Sequence, residues 1–214
     1  MRNINHDSSL HDLIRCYNES PYPSLKSSNY LSVYVELFDH LRGNECTFIE
    51  TGILDGVSLY MWKNWLGKKT KIIGMDLNPE ALKWKKHGFD IFIGDQGDPV
   101  FWQNTFQQIG GFDALLDDGG HQSFQQIVTT YEAILASNNE CVVAIEDTHT
   151  SFMKEFSRHK SHTFLEFSKD ATDNLLAKHS HFYPNQFLPI GNPQSVEDFQ
   201  NVHSIRFLRG SWLL

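Results

Sequence analysis

No long run of lysines and arginines occurs in this chain, and its formal net charge is −8. A surface of that sign does not track a nucleic-acid backbone or an anionic membrane, so those partners are excluded and a small soluble molecule is expected instead. Cysteine is scarce too. Cys16, Cys46 and Cys141 are odd in number and lack CxxC spacing; they read as reduced core residues, which points to the cytoplasm. His159, His162, His179 and His181 lack the acid or cysteine partners, at the right spacing, of a compact zinc site. Long apolar runs are missing: none approaches the roughly eighteen residues of a membrane span, and Met1–Leu10 is polar where a secretory signal needs an apolar stretch. Neither export nor insertion is expected. Also absent are the GxGxxG spacing of a dinucleotide site, any internal repeat beyond a strand–helix unit, and any low-complexity tract.

What is present suits one core. The chain has 214 residues and 40% hydrophobic content, which forces no division into two domains. The expected organisation is a polar leader over 1–24 and a single domain over 25–214, with a substrate-side lid at about 150–200. Tyr30, Val33, Tyr34, Leu37, Phe38 and Leu41 recur at helical spacing within Leu25–Leu41, so an amphipathic helix should start near Ser27 or Ser28. From Thr47 onward, strand and helix alternate. Strands are expected at Thr47–Thr51, Lys71–Leu77, Phe89–Ile93, Phe112–Leu116 and Cys141–Ile145. Helices are expected at Ser58–Leu66, Pro79–His87, Pro99–Ile109 and Gln122–Ala136. Alternation of this kind builds an α/β doubly wound, mostly parallel sheet by right-handed crossovers. Phe167–His181 can form a further helix, and 181–193 reads as an aromatic loop. Val202–Leu208 with Trp212–Leu214 suggests a terminal hairpin, which would bring the sheet to seven strands with an antiparallel C-terminal pair.

Function should lie where the strands end, because ligands of open α/β sheets bind in the crevice beyond the carboxyl ends. The turn Glu50-Thr51-Gly52-Ile53-Leu54-Asp55-Gly56 follows the first strand, where glycine lets backbone approach a ligand. Asp76 ends the second strand, about twenty residues on, and a carboxylate there can accept hydrogen bonds from both hydroxyls of a ribose. Gly94-Asp95-Gln96 ends the third, where Asp95 and Gln96 can bond an adenine edge. Glu50 is an unwelcome neighbour for a pyrophosphate but suits a cationic cofactor. Asp117-Asp118-Gly119-Gly120-His121 and Glu146-Asp147 end the fourth and fifth strands and aim three carboxylates at one point, a set of hard oxygens that suggests a divalent cation, most simply Mg²⁺. Adjacent strand residues face opposite ways, so Asp118 is assigned to the metal and Asp117 to the cofactor side.

These motifs together resemble the class I S-adenosylmethionine-dependent methyltransferases, in particular the metal-dependent sugar and antibiotic O-methyltransferases of the mycinamicin and cephalosporin-tailoring type. The resemblance covers roughly 25–214. It is carried by Lys26 with Tyr30-x-x-x-Tyr34-x-x-Leu37-Phe38, Phe48-Ile49-Glu50-Thr51-Gly52, Gly56-x-Ser58-Leu59-x-Met61-Trp62, Gly74-Met75-Asp76, Gly94-Asp95-Gln96, Asp117-Asp118-Gly119-Gly120-His121 and Glu146-Asp147-Thr148-His149-Thr150-Ser151. Thr51 and Gly120 depart from it, since Ile and Ser are more usual there. The resemblance implies a Rossmann-like methyltransferase fold, with S-adenosylmethionine held by Glu50, Gly52, Gly56, Ser58, Asp76, Asp95, Gln96 and Asp117. It implies Asp118, Glu146 and Asp147 as ligands of Mg²⁺ or another divalent cation, and His121 as general base with Asp118 in the catalytic set. The expected activity is methylation of a hydroxyl on a sugar or related polyol. A catechol-type phenol acceptor, a non-catalytic binding module and, least favoured by the glycine spacing, a nicotinamide dehydrogenase are the alternatives. Whether the chain forms a homo-oligomer is left open.

Overall fold

The computed structural model describes residues 6–22, 26, 28–137, 140–157, 163–177 and 202–208. Its sheet has the strand order β3-β2-β1-β4-β5, built from β1 (Thr47–Thr51), β2 (Lys71–Asp76), β3 (Asp90–Ile93), β4 (Ala114–Asp117) and β5 (Val142–Ile145). Every pairing is parallel. The chain builds outward from β1 to β3, then returns to the other side of β1 for β4 and β5. That reversal opens a crevice between β1 and β4.

Period-two alternation assigns each strand residue to a layer. Phe48, Ile72, Ala114 and Leu116 join a core with Leu13, Tyr34, Phe38, Trp62 and Trp84, under α1 (His6–Asn18), α2 (Ser28–Phe38) and α3 (Val57–Leu66). Ile49, Ile73, Met75 and Leu115 join the opposite core with Trp102, Phe106 and Ala133, under α4 (Pro99–Ile109) and α5 (Ser123–Ala136). A sheet covered on both faces explains why its strands are continuous apolar runs.

Local chemistry sets the helix starts. Asp98 accepts from Val100 N at 2.9 Å with Pro99 at the first turn of α4, and Gln122 and Gln125 form a reciprocal cap on α5. Pro79–His87 is helical as expected, but in the tighter 3-10 form, and is capped by Asn78 accepting from Glu80 N at 3.0 Å.

Three expectations change. Most of the described part of the polar leader is a helix: Leu13 and Cys16 of α1 are buried, Trp65 Nε1 donates to Ser9 O at 3.3 Å, and Arg42 reaches Asp12 at 2.9 Å. The sheet has five strands among the described residues, not seven, and no antiparallel hairpin is found there. Val202–Leu208 forms no strand; an ion pair of Arg206 with Glu36 at 3.6 Å instead links this stretch to α2. Trp212–Leu214 lies outside the described residues. The last helix among the described residues, α6, spans Phe164–Ala177, earlier than expected, while the aromatic loop expected at 181–193 falls outside the described residues. No described helix is long and apolar enough to cross a membrane.

Candidate functional site

The parallel register brings the strand ends level: Thr51 lies beside Met75 and Asp117, Asp76 beside Ile93, and Asp117 beside Ile145. Beyond them opens one cavity of about 930 Å³. Gly52, Ser58, Asp76, Asp95 and Gln96 line one side, and Asp118, His121, Glu146 and Asp147 line the other.

The first side rests on a close backbone crossing. Gly52 has φ +84°, and a Cβ there would fall 2.2 Å from the carbonyl oxygen of Asp118. Only glycine lets the β1 and β4 loops pass this closely. Gly52→Ala should therefore cost about 2–4 kcal/mol of stability. Gly43→Ala, at φ +74° with open space around it, should cost only roughly 1–2 kcal/mol. Equal melting temperatures for the two variants would contradict this account. Asp76 pins the same loop, accepting from Leu54 N at 3.0 Å through Oδ2 and from Asn78 N at 2.8 Å through Oδ1. Each oxygen keeps acceptor capacity toward the cavity.

Several residues proposed for the cofactor from sequence do not reach the cavity wall. Asp117 is buried and accepts from Gln96 Nε2 at 2.9 and 3.0 Å and from Gly119 N at 3.1 Å. Burial raises its pKa, while the Gln96 and Gly119 donors pull it back. Gln96 Oε1 meanwhile accepts from Gly120 N at 2.8 Å, so this amide braces β3 against the β4 loop although it lines the cavity. Asp95 lines the cavity and also holds its own turn, accepting from Gly97 N at 2.8 Å. Gly56 packs against the Trp84 indole. Glu50 is fully buried, with neither carboxylate oxygen within ordinary hydrogen-bond geometry of a partner. Burial pushes its carboxyl up to about 7, opposed by the Lys26 ammonium and by nearby Ser58.

On the second side, one oxygen each of Asp118 and Asp147 and one nitrogen of His121 lie within 4.8 Å of one another. His121 Nε2 is 3.5 Å from Asp147 Oδ2, and Tyr30 Oη donates to Asp147 Oδ1 at 2.6 Å. Two carboxylate oxygens at this separation can share a divalent cation, with the imidazole of His121 beside it. Glu146 borders the same cavity but is turned to other partners: Tyr34 Oη donates to it, and Lys26 Nζ stands 3.4 Å away. Burial raises the Glu146 carboxyl to about 8, against the pull of Lys26.

Backbone strain gathers here. Among the described residues, the non-glycine positions with positive φ are Leu54 (42°), His121 (56°) and Asp147 (52°), and all three line the cavity. Such conformations persist where surrounding contacts impose them. Thr150 Oγ1 supplies such a contact, lying 2.9 Å from His121 O and 2.8 Å from Asp147 O. Gln126 Nε2 donates to Glu146 O at 2.9 Å and fixes the end of β5.

Sequence reasoning assigned no role to Lys26, Tyr30 or Tyr34. Lys26 Nζ lies 3.1 Å from Asp118, 3.4 Å from Glu146 and 4.0 Å from Glu50. Burial works against its charge, but the Tyr34 oxygen and the three carboxylates outweigh it and raise its pKa well above the usual lysine value. The available signal was Tyr30 and Tyr34 at i, i+4: a tyrosine on a core-facing stripe carries a hydroxyl that must find a partner.

Solved structures of MycE, a methyltransferase from the mycinamycin biosynthetic pathway, superpose on this chain. In complex with Mg and SAH (crystal form 2), MycE matches with a TM-score of 0.70 and 21% identity, over 88% of this chain and 49% of its own. The fold is that of the methyltransferases. A MycE complex that also holds mycinamycin VI matches with a TM-score of 0.66 and 22% identity, over 78% of this chain and 48% of its own. In sequence, the chain is 26% identical over 189 residues to 8-demethyl-8-alpha-L-rhamnosyl tetracenomycin-C 2'-O-methyltransferase of Streptomyces olivaceus, covering 83% of this chain and 47% of the relative. It is 27% identical over 131 residues to demethylmacrocin O-methyltransferase of Streptomyces fradiae, covering 58% of this chain and 32% of the relative. The chain thus spans about half the length of the first of these relatives. No family model matches it. The chain is thus similar in sequence to these two O-methyltransferases and in fold to MycE.

Proposed function

We propose that this methyltransferase-fold chain carries an S-adenosylmethionine-dependent, dication-assisted O-methyltransferase activity directed at a hydroxyl of a sugar or small polyol. The observation that supports it is the single cavity: the Gly52 loop and Asp76 face the same space as Asp118, His121 and Asp147. A volume of this order is ample for a nucleoside and a sugar side by side.

In this reading Asp76 accepts the ribose hydroxyls, Ser58 and the Gly52–Gly56 loop border the amino-acid part of the cofactor, and Asp95 stands at the adenine. Asp118 and Asp147 hold the dication, with Glu146 beside them. The ion, when bound, supplies positive charge that makes a neighbouring hydroxyl more acidic. His121 accepts the hydroxyl proton on its imidazole as the new O–CH₃ bond forms. The S–CH₃ bond breaks with its electron pair retained on sulfur, so the positive charge leaves the sulfonium while His121 gains the proton. The buried braces Asp117–Gln96 and Thr150 hold these groups in place, so that positioning supplies much of the rate.

The test is methyl transfer from S-adenosylmethionine, with and without Mg²⁺, to a panel of glycosides, free sugars and catechols, read by mass spectrometry. Mg²⁺-dependent methylation of a glycoside is expected. Product from catechols alone would replace the acceptor class, and no product from any acceptor by a protein that binds S-adenosylhomocysteine would favour the binding-module reading.

A further inference from the structure

Lys26 is an unusual neighbour for a cation site. Its side chain is only 10% exposed, and its ammonium sits among Asp118 at 3.1 Å, Glu146 at 3.4 Å and Glu50 at 4.0 Å. It also lies over the Tyr34 ring, 4.7 Å from the centroid. Glu50 is wholly buried and Glu146 nearly so, so without Lys26 two buried carboxylates and a third partly buried one would have no ion-pair partner among the described residues. Removing one partner from such a group leaves uncompensated charge in a poorly solvated place. Asp118 is the one acid that belongs to both sets: it touches Lys26, and it faces His121 and Asp147.

We propose that Lys26 is an internal counter-ion that competes with the divalent cation for Asp118. When no ion is bound, its ammonium neutralises the Glu50–Asp118–Glu146 group. An ion seated between Asp118 and Asp147 has to share Asp118 with it, and Glu146 and Glu50 keep Lys26 nearby. Lys26 thereby lowers the affinity of the site for dications and keeps the protein folded without one. The inference rests on the dication reading given above.

The experiment is calorimetric titration of Mn²⁺ and Mg²⁺ into the full chain and its Lys26→Met and Lys26→Arg variants, with melting temperatures in EDTA and in Mn²⁺. A unit charge a few ångströms from a dication changes affinity by about tenfold even when screened as in bulk water. Lys26→Met should therefore bind Mn²⁺ about tenfold or more tightly than the native chain, melt lower in EDTA, and recover in Mn²⁺. Lys26→Arg, which keeps the charge, should bind like the native chain. If the native chain binds the ion and Lys26→Met binds it equally or more weakly, the inference falls and the dication reading stands. The inference also falls if Lys26→Arg tightens binding as much as Lys26→Met. Binding by Lys26→Met alone would uphold the inference and overturn the dication reading for the native chain. Binding by neither would overturn both. A Lys26→Met protein that folds only with Mn²⁺ supports the inference, and one that folds in neither condition overturns it.

Discussion

Asp118→Ala is expected to reduce dication-dependent turnover on the order of 10³-fold, with little change in the affinity for S-adenosylhomocysteine. The two effects separate because Asp76 ends β2 while Asp118 follows β4 on the other side of β1, with a carboxylate oxygen within 4.8 Å of one oxygen of Asp147 and one nitrogen of His121. The backbone at 118 stays anchored by Asp118 N donating to Thr51 O at 3.0 Å, so removing the carboxylate leaves the Gly52 crossing intact. Calorimetry with Mn²⁺ and with S-adenosylhomocysteine on the same preparation checks both halves. Parallel loss of ion and nucleoside binding would mean that the two share one set of ligands, contrary to the account.

His121→Asn should lower kcat by about 10²–10⁴-fold, the usual worth of a general base, while Mn²⁺ affinity is largely kept. Asparagine is the better probe than alanine because position 121 sits at φ 56°, a left-handed conformation that asparagine tolerates. The Thr150 hydroxyl that holds the His121 carbonyl is untouched by the change. Single-turnover kinetics locate the loss in the chemical step. Mn²⁺ affinity that falls along with kcat would instead make His121 an ion ligand.

The strand ends were legible because burial on both faces demands continuous apolar runs, and those runs stop where the polar site residues begin. Phe48, Ile49, Leu115 and Leu116 announce their strands, and the acids that follow them announce the crevice. Alternation also separated Asp117 from Asp118. It could not say that Asp117 would be enclosed by Gln96 and Thr129 instead of facing the cofactor side, since that depends on a brace between β3 and β4. Helix α1 went unread because its apolar positions, Leu10, Leu13, Ile14 and Tyr17, are outnumbered by polar ones, although their spacing is helical. The C-terminal hairpin was inferred from the composition of Val202–Leu208, a weak guide to strand, because pairing depends on a neighbouring edge that the sequence does not reveal. Lys26 was part of the motif set but was given no role. A contact spanning from residue 26 to residues 118 and 146 leaves no local periodicity, and only the closed fold brings it into view.

The account depends most on the corner formed by the Gly52 loop and Asp76, where an adenosyl group would lie. Calorimetric titration of S-adenosylhomocysteine into the native chain and into Asp76→Ala, both in EDTA, tests it most directly. One site per chain is predicted, present without any divalent ion and weakened about tenfold or more in Asp76→Ala, as expected when hydrogen bonds from ribose hydroxyls to a carboxylate are lost. Absence of binding by the folded native chain, or equal affinity in the two proteins, would contradict it.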